Sequence, residues 1–133
     1  MSTVLIVEDY PSNMQVFSAL LWSMGHRVLE AATVAEALTL CQTHEGPIGL
    51  VIADLALPDG SGTEVALAVT RSCPDAAVLF VSGMPLNAWP VRDRRHLEAL
   101  PAGVGVLEKP FRPAALTAKV DELLHTTARH NTW

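Results

Sequence analysis

The stretch Leu50-Val51-Ile52-Ala53-Asp54 is a short apolar run that ends on a carboxylate. Continuous runs of this kind, rich in Val and Ile, are typical of strands in a parallel sheet that is buried on both faces. Three other runs also end on polar residues: Val4 to Val7 on Glu8-Asp9, Val78 to Val81 on Ser82, and Val104 to Leu107 on Glu108-Lys109. The carboxyl ends of parallel strands meet at one crevice, where open α/β sheets bind ligands. We therefore expect three carboxylates, a hydroxyl and an amine to lie together there.

Segments with helical periodicity separate these runs. Ser12 to Gln15 and Thr33 to Glu36 both have the form of a capping box, which predicts a helix start at each position. Arg27 to Ala31 has the pattern of a short strand between those two helices. Residues 57–62 are rich in turn residues and precede a third helix, and Pro113 is placed to open the last one. The alternation predicts a three-layer, doubly wound α/β fold with five parallel strands.

Residues 83–103 interrupt this alternation with three prolines, around a short helix that we predict from Arg92 to Leu100. We favour packing of Trp89 beneath its own loop over a role on a partner surface. The polar segment from His125 to Trp133 is predicted to fray. We accordingly assign residues 1–127 to one domain and residues 128–133 to a polar C-terminal tail.

Composition limits the classes of function. The chain has 133 residues, of which 50% are hydrophobic, and this suits one globular domain with one core. Its net charge of -5 disfavours a sequence-independent grip on phosphate backbones, so no direct nucleic-acid partner is expected. No apolar run approaches the roughly 20 residues that span a bilayer, and no signal-length segment precedes Val4. Cys41 and Cys73 match no disulfide framework, so a reducing cytoplasm is expected.

The residues at the strand ends predict a metal site. Glu8, Asp9 and Asp54 would repel one another unless a cation neutralised them, and oxygen ligands of this kind suit a hard divalent ion. Mg²⁺ is the natural candidate because it needs few protein oxygens and commonly bridges to a phosphoryl group. Lys109 would then face phosphoryl oxygens as a point charge, and Ser82 would offer a hydroxyl donor.

At this point the chain resembles the receiver domain of two-component response regulators. The resemblance covers residues 3 to about 125 and is especially close to receivers of hybrid sensor kinases and to stand-alone, single-domain regulators. It implies a flavodoxin-like (β/α)5 fold with strand order 2-1-3-4-5. The motifs that carry it are Val-Leu-Ile-Val-Glu-Asp (4–9), Val-Ile-Ala-Asp-Leu-Ala-Leu-Pro-Asp-Gly-Ser-Gly (51–62), Val-Ser-Gly (81–83) and Leu-Glu-Lys-Pro-Phe (107–111).

The resemblance also implies a role for each residue. Asp54 would be the nucleophile that takes a phosphoryl group from a partner's phosphohistidine. Asp9, Asp54 and the Ala56 carbonyl would bind Mg²⁺ directly, and Glu8 would act through water. Ser82 and Lys109 would contact the phosphoryl oxygens, and Pro110 would follow a cis peptide bond. The protein would promote its own phosphorylation and dephosphorylation without being an enzyme on other substrates.

Partners follow from the same resemblance. The phosphodonor would be a sensor histidine kinase or a histidine phosphotransfer protein. A downstream protein target would bind the surface formed by the fourth helix, the fifth strand and the last helix, and a dimer through that surface remains an alternative. No output domain follows the last helix, so we expect a stand-alone regulator, with a phosphorelay intermediate and a fragment of a longer chain as alternatives.

Two further readings stay open. The fold could serve as a phosphorylation-independent scaffold with a vestigial site. A magnesium-dependent phosphohydrolase would use a similar crevice, but such enzymes want a second acid at the position of Ala56. One departure from the family concerns switching, because receivers usually carry an aromatic residue where this chain has Val106.

Overall fold

Five parallel strands form the central sheet of the computed structural model, which describes residues 1–101 and 103–131 and the side chains within them up to residue 125. The strands are β1 (Thr3–Val7), β2 (Arg27–Ala31), β3 (Leu50–Asp54), β4 (Ala77–Ser82) and β5 (Val104–Glu108). Their spatial order is β2-β1-β3-β4-β5, and every neighbouring pair is parallel. The predicted order 2-1-3-4-5 and the doubly wound fold are therefore confirmed.

Five helices cover the two faces of this sheet. They are α1 (Pro11–Ser23), α2 (Val34–Thr43), α3 (Gly62–Ser72), α4 (Val91–Glu98) and α5 (Pro113–Asn131). A two-stranded antiparallel hairpin, Ala56–Leu57 with Gly60–Ser61, connects β3 to α3. A turn of 3-10 helix, Leu86–Ala88, precedes α4.

Alternate residues of each strand point into two separate cores. In β1, Leu5 and Val7 join the core under α2, α3 and α4, whereas Val4 and Ile6 join the core under α1 and α5. Residues 77–82 are all buried because β4 is covered on both faces. The two cores hold the sheet rigid, and the ends of its strands provide a fixed frame for side chains.

Three details of the sequence interpretation need correction. The capping box at Ser12 is wrong, because α1 begins at Pro11 after Tyr10 and has no side-chain cap. At Thr33 half of the predicted box forms: its hydroxyl accepts from the Glu36 N–H at 3.1 Å, but Glu36 accepts from the Ala32 N–H instead of that of Thr33. The predicted fray from His125 is also wrong for the backbone, since α5 continues to Asn131. Trp133 lies outside the described residues.

The segment between β4 and β5 is ordered around one indole. Trp89 is 2% exposed and packs against Phe80 of β4, which confirms the predicted packing beneath its own loop. The predicted helix here spans Val91–Glu98, slightly earlier than the sequence indicated. Val106, where the resemblance implied an aromatic residue, is half-buried against the core under α3 and α4.

Candidate functional site

Three strand ends bring their polar side chains to the same edge of the sheet. Glu8 and Asp9 follow β1, Asp54 ends β3, and Lys109 follows β5. β1 and β3 are direct neighbours in register, so their ends are adjacent. The cluster that the sequence predicted from strand order is therefore present at the crevice.

Lys109 joins two of the carboxylates. Its Nζ lies 2.8 Å from Asp54 Oδ2 and 3.0 Å from Glu8 Oε1. Burial of the ammonium acts to lower the pKa of Lys109, but the two carboxylates outweigh it and the pKa is raised. The two carboxylates therefore keep the Lys109 ammonium charged and fix its position at this site. The peptide bond from Lys109 to Pro110 is cis, as predicted.

Glu8 lies beneath the cluster and is 2% exposed. Burial, followed by the facing Asp54 carboxylate, raises its pKa, while contacts with Lys109 and Asn13 act in the opposite direction. Asn13 Nδ2 donates to Glu8 Oε1 at 2.8 Å. The other oxygen, Glu8 Oε2, is buried and has no hydrogen-bond partner among the described residues. A buried carboxylate oxygen without a donor is costly, so this atom calls for a ligand or a proton.

The acidic cluster fits a cation. One carboxylate oxygen from each of Glu8, Asp9 and Asp54 lies within 4.8 Å of the other two. Asp9 is exposed and Asp54 is partly exposed, so the cluster is open to solvent on one side. Glu8, whose Oε2 has no hydrogen-bond partner among the described residues, is a member of this cluster, which is a further reason to place positive charge there.

The two Asp54 oxygens have different surroundings. Oδ2 accepts from Lys109, whereas Oδ1 accepts from the Ala56 N–H at 3.1 Å. The Asp54 side chain is 13% exposed, so solvent can still reach its carboxylate. Gly62 packs directly onto the Asp54 backbone, and any side chain at Gly62 would collide with the Asp54 carbonyl. This close approach holds the start of α3 against the end of β3.

Ser82 is the remaining predicted site residue. It is 2% exposed at the end of β4, and its hydroxyl accepts from the Met84 N–H at 3.0 Å. Its carbonyl accepts from the Lys109 N–H at 2.7 Å, which ties β4 to the lysine. This bond uses the hydroxyl oxygen only as an acceptor, so the Ser82 O–H can still donate to a ligand on Asp54.

Asn13 and Asp59 are two polar side chains near the site that the sequence interpretation did not single out. Asp59, at the tip of the hairpin, accepts from the Val34 N–H at 2.7 Å and from the Ala35 N–H at 3.0 Å. These bonds lower the pKa of Asp59. The turn composition around Pro58 and Gly60 indicated a loop, but not its contact with the start of α2.

Comparison with known proteins gives the class. A family model for the response regulator receiver domain matches residues 4–121. The receiver domain protein (CheY-like) from Methanospirillum hungatei JF-1 shares the fold with a TM-score of 0.83 at 24% identity, over 98% of both chains. The receiver domain from the hybrid histidine kinase CckA superposes with a TM-score of 0.74 at 30% identity, over 92% of this chain and 98% of that one. The chain belongs to the response regulator receiver family.

The chain is similar both to a region of a much longer protein and to a protein of about its own length. The sensor kinase CckA of Brucella abortus (strain 2308) is 33% identical over 92% of this chain, which spans only 12% of that kinase. The response regulator receiver protein CpdR from the same strain is 27% identical over 93% of this chain and 98% of its own length. Among these relatives, the receiver domain therefore occurs both as part of a kinase and as a single-domain protein. Within the described residues, no helix has the length and apolar character needed to cross a membrane.

Proposed function

We propose that this chain accepts a phosphoryl group on Asp54 from a phosphohistidine of a partner protein in a Mg²⁺-dependent reaction. The observation that carries the proposal is the arrangement around Asp54, where Lys109 Nζ contacts Oδ2 at 2.8 Å beside two further carboxylates. Membership of the receiver family supports the same chemistry. Transfer breaks the phosphorus–nitrogen bond of the donor and forms a phosphorus–oxygen bond to Asp54.

The protein residues position and neutralise the reacting groups. Asp54 presents a partly exposed carboxylate, and the Ala56 N–H fixes one of its oxygens. Lys109 shifts from the carboxylate to the phosphoryl oxygens as their charge arrives, which keeps a cation at the point of greatest charge. Glu8 and Asp9 would hold Mg²⁺ together with Asp54 and the Ala56 carbonyl, and the ion would supply further neutralisation of equatorial charge.

The donor is proposed to be a sensor histidine kinase or a histidine phosphotransfer protein. A groove of about 250 Å³ between α1 and the start of α5 opens beside Lys109. Its wall includes Val16, which is 50% exposed, and Phe17, which stacks on Phe111. A protein seated in this groove can bring a phosphohistidine next to Asp54, and sensor kinases among the relatives make such a donor natural.

Phosphorylation is proposed to switch a protein contact on the surface of α4, β5 and α5. Adding about 1.5 to 2 negative charges to Asp54 provides acceptors for the Ser82 O–H, and drawing Ser82 toward them would shift the loop after β4 inward. α4 follows this loop and presents Val91, Arg94 and Arg95 to solvent. A cytoplasmic regulator that acts on a downstream protein is our preferred assignment, with a phosphorelay intermediate as the alternative, and CpdR, which is similar over 98% of its own length, is a single-domain relative.

Intact-mass measurement tests the acceptor role. The protein is incubated with acetyl phosphate and MgCl₂, and the wild type should gain the mass of one phosphoryl group. Asp54→Asn and a sample with excess EDTA should show no gain. A gain that persists in Asp54→Asn would contradict the assignment of the acceptor, and a gain that persists in EDTA would contradict the Mg²⁺ requirement. Multiple turnover on phosphate esters would favour a phosphohydrolase instead.

A further inference from the structure

A buried hydroxyl connects the start of α3 to α4. Thr63 is fully buried, and its Oγ1 lies 2.9 Å from Asp93 Oδ1 and 2.9 Å from His96 Nδ1. A hydroxyl carries one proton, so Thr63 donates to the Asp93 carboxylate and accepts from His96 Nδ1–H. Asp93 is itself only 7% exposed, so this contact is sheltered from water. Two side chains of α4 are therefore anchored on one residue of α3.

The same hydroxyl is connected to the loop that carries Asp54. Thr63 Oγ1 lies 3.1 Å from Ser61 Oγ, and Ser61 also accepts from the Thr63 N–H at 3.2 Å. Ser61 pairs with Ala56 across the hairpin. The Ala56 N–H donates to Asp54 Oδ1. Consecutive contacts thus run from the phosphoacceptor carboxylate, through the hairpin and Thr63, to α4.

We infer that Thr63 is a positioning residue that couples α4 to the phosphoacceptor loop, so that a change at Asp54 reaches α4 through the start of α3. This inference rests on the proposed phosphorylation of Asp54. A phosphoryl group on Asp54 changes the charge on the carboxyl group that accepts the Ala56 N–H hydrogen bond. Ala56 pairs with Ser61 in the hairpin, so the change can reach Ser61. The Thr63 contact has few alternative partners in its buried position, so displacement of the hairpin changes its geometry and α4 responds.

This route differs from the one through Ser82. The Ser82 route enters α4 from its amino-terminal side along the loop after β4, whereas the Thr63 route holds the middle of α4 from beneath. The sequence has Val106 where its resemblance implied an aromatic residue, and the Thr63 contacts with Asp93 and His96 need no aromatic ring.

An exposed ion pair between the same helices supplies a matched control. Arg92 of α4 lies 2.6 Å from Glu64 of α3, but the Arg92 side chain is 71% exposed. Pairs of this kind contribute little because solvent and salt screen them. Arg92→Ala thus removes an α3–α4 contact without touching the buried hydroxyl.

Hydrogen exchange of the α4 amides tests the inference on the full chain, with and without acetyl phosphate and MgCl₂. Thr63→Val keeps the side-chain volume but removes the hydroxyl, whereas Thr63→Ser keeps the hydroxyl but removes a buried methyl group. Before phosphodonor is added, loss of a hydrogen bond should speed local opening of α4 in Thr63→Val by about fivefold. After phosphorylation, the change in α4 exchange should be smaller in Thr63→Val than in the wild type, because only the route through Ser82 remains, and it should be kept in Thr63→Ser and Arg92→Ala.

The outcomes separate this inference from the proposed function. If Thr63→Val gains the mass of a phosphoryl group and its α4 exchange changes as in the wild type, the coupling is wrong but the acceptor role of Asp54 stands. An equal loss of response in Thr63→Ser also overturns it, because stability and not the hydroxyl would then control α4. Absence of mass gain in the wild type overturns the proposed function and the coupling with it. If Thr63→Val does not fold, His96→Leu removes one of the two α4 partners of Thr63 and leaves Asp93, so the α4 response should be reduced, and an unchanged response overturns the coupling.

Discussion

Trp89 lies edge-on against Phe80, with the ring centroids 5.6 Å apart and the ring planes at 90°. The indole Nε1 donates to the Met84 carbonyl at 3.2 Å, and the Met84 N–H donates to the Ser82 hydroxyl. One buried indole therefore supports the loop whose first residues hold the serine of the site. Packing in this segment and the resting position of Ser82 depend on the same side chain.

Trp89→Ala should lower the free energy of unfolding by about 3–5 kcal/mol, the usual cost of emptying a large buried aromatic site. Urea unfolding followed by circular dichroism measures it. Trp22→Ala is the matched control, because Trp22 is 62% exposed on α1 and its loss should change stability by less than about 0.5 kcal/mol. Equal effects of the two substitutions would show that burial of Trp89 does not stabilise the fold.

Mg²⁺ should raise the melting temperature of the wild type, because an ion that binds only the folded chain stabilises it by about 2.7 kcal/mol at a hundred times its dissociation constant. Asp9→Asn removes one carboxylate and should reduce this shift. In EDTA the same variant should be at least as stable as the wild type, since a repulsive charge is gone.

Glu108→Gln is the control for that titration. Glu108 is an exposed carboxylate at the same sheet edge, next to Lys109, but outside the acidic cluster. Its Mg²⁺ shift in differential scanning calorimetry should equal that of the wild type. If Asp9→Asn and Glu108→Gln respond alike, the ion acts through general screening and the predicted metal site is wrong.

Strand order was the part of the site that the sequence could predict. Four apolar runs of strand length, each ending on a polar residue, place those residues at one edge whatever the details of the helices. Lys109 and Glu8 are 101 positions apart in the chain, and β3 and β4 lie between the two strands that they follow. The topology brings both residues to one edge of the sheet, and the long Lys109 side chain completes the contact. The Glu8, Asp9 and Asp54 cluster follows in the same way.

Contacts between side chains of loops and helices were not predictable in this way. The hydroxyl of Thr63 meets Asp93 and His96 only after α3 and α4 are docked, and neither residue type nor spacing indicates which helices will touch. The capping-box pattern at Ser12 also gave a wrong helix start, because a neighbouring proline favours an earlier one. At the start of α1, Pro11 is pre-organised for the first helical position, and the helix begins there instead of after Ser12.

Asp59→Asn should lower stability at neutral pH because it removes the carboxylate that accepts from the first N–H groups of α2. An anion also interacts favourably with the positive end of the helix dipole. The pKa of Asp59 is lowered in the folded state below its ordinary value of 3.8. A lowered pKa means that the stabilisation is fully present above 3.8 and disappears as pH falls through the folded-state value.

The difference in urea midpoint between the wild type and Asp59→Asn should therefore be constant near neutral pH and shrink in acid. Asp75→Asn serves as a comparison, since Asp75 is an exposed aspartate in the turn before β4. If the difference in urea midpoint between the wild type and Asp59→Asn instead increases as the pH falls toward 3.8, Asp59 is not an anionic cap.

Lys109→Ala separates acceptance of the phosphoryl group from transmission. Asp54 keeps its Ala56 contact and its acidic neighbours in this variant, so it should still gain phosphate from acetyl phosphate and MgCl₂, although more slowly. The ammonium contacts the phosphoryl oxygens only after the bond to Asp54 has formed, and alanine cannot make this contact, although its backbone N–H still donates to the Ser82 carbonyl. The phosphorylated variant should thus lose much of the change in α4 hydrogen exchange that the phosphorylated wild type shows. Arg112→Ala, a nearby cation outside the cluster, should retain it. A normal α4 response in phosphorylated Lys109→Ala would refute the assignment of this lysine as the residue that senses the phosphoryl group.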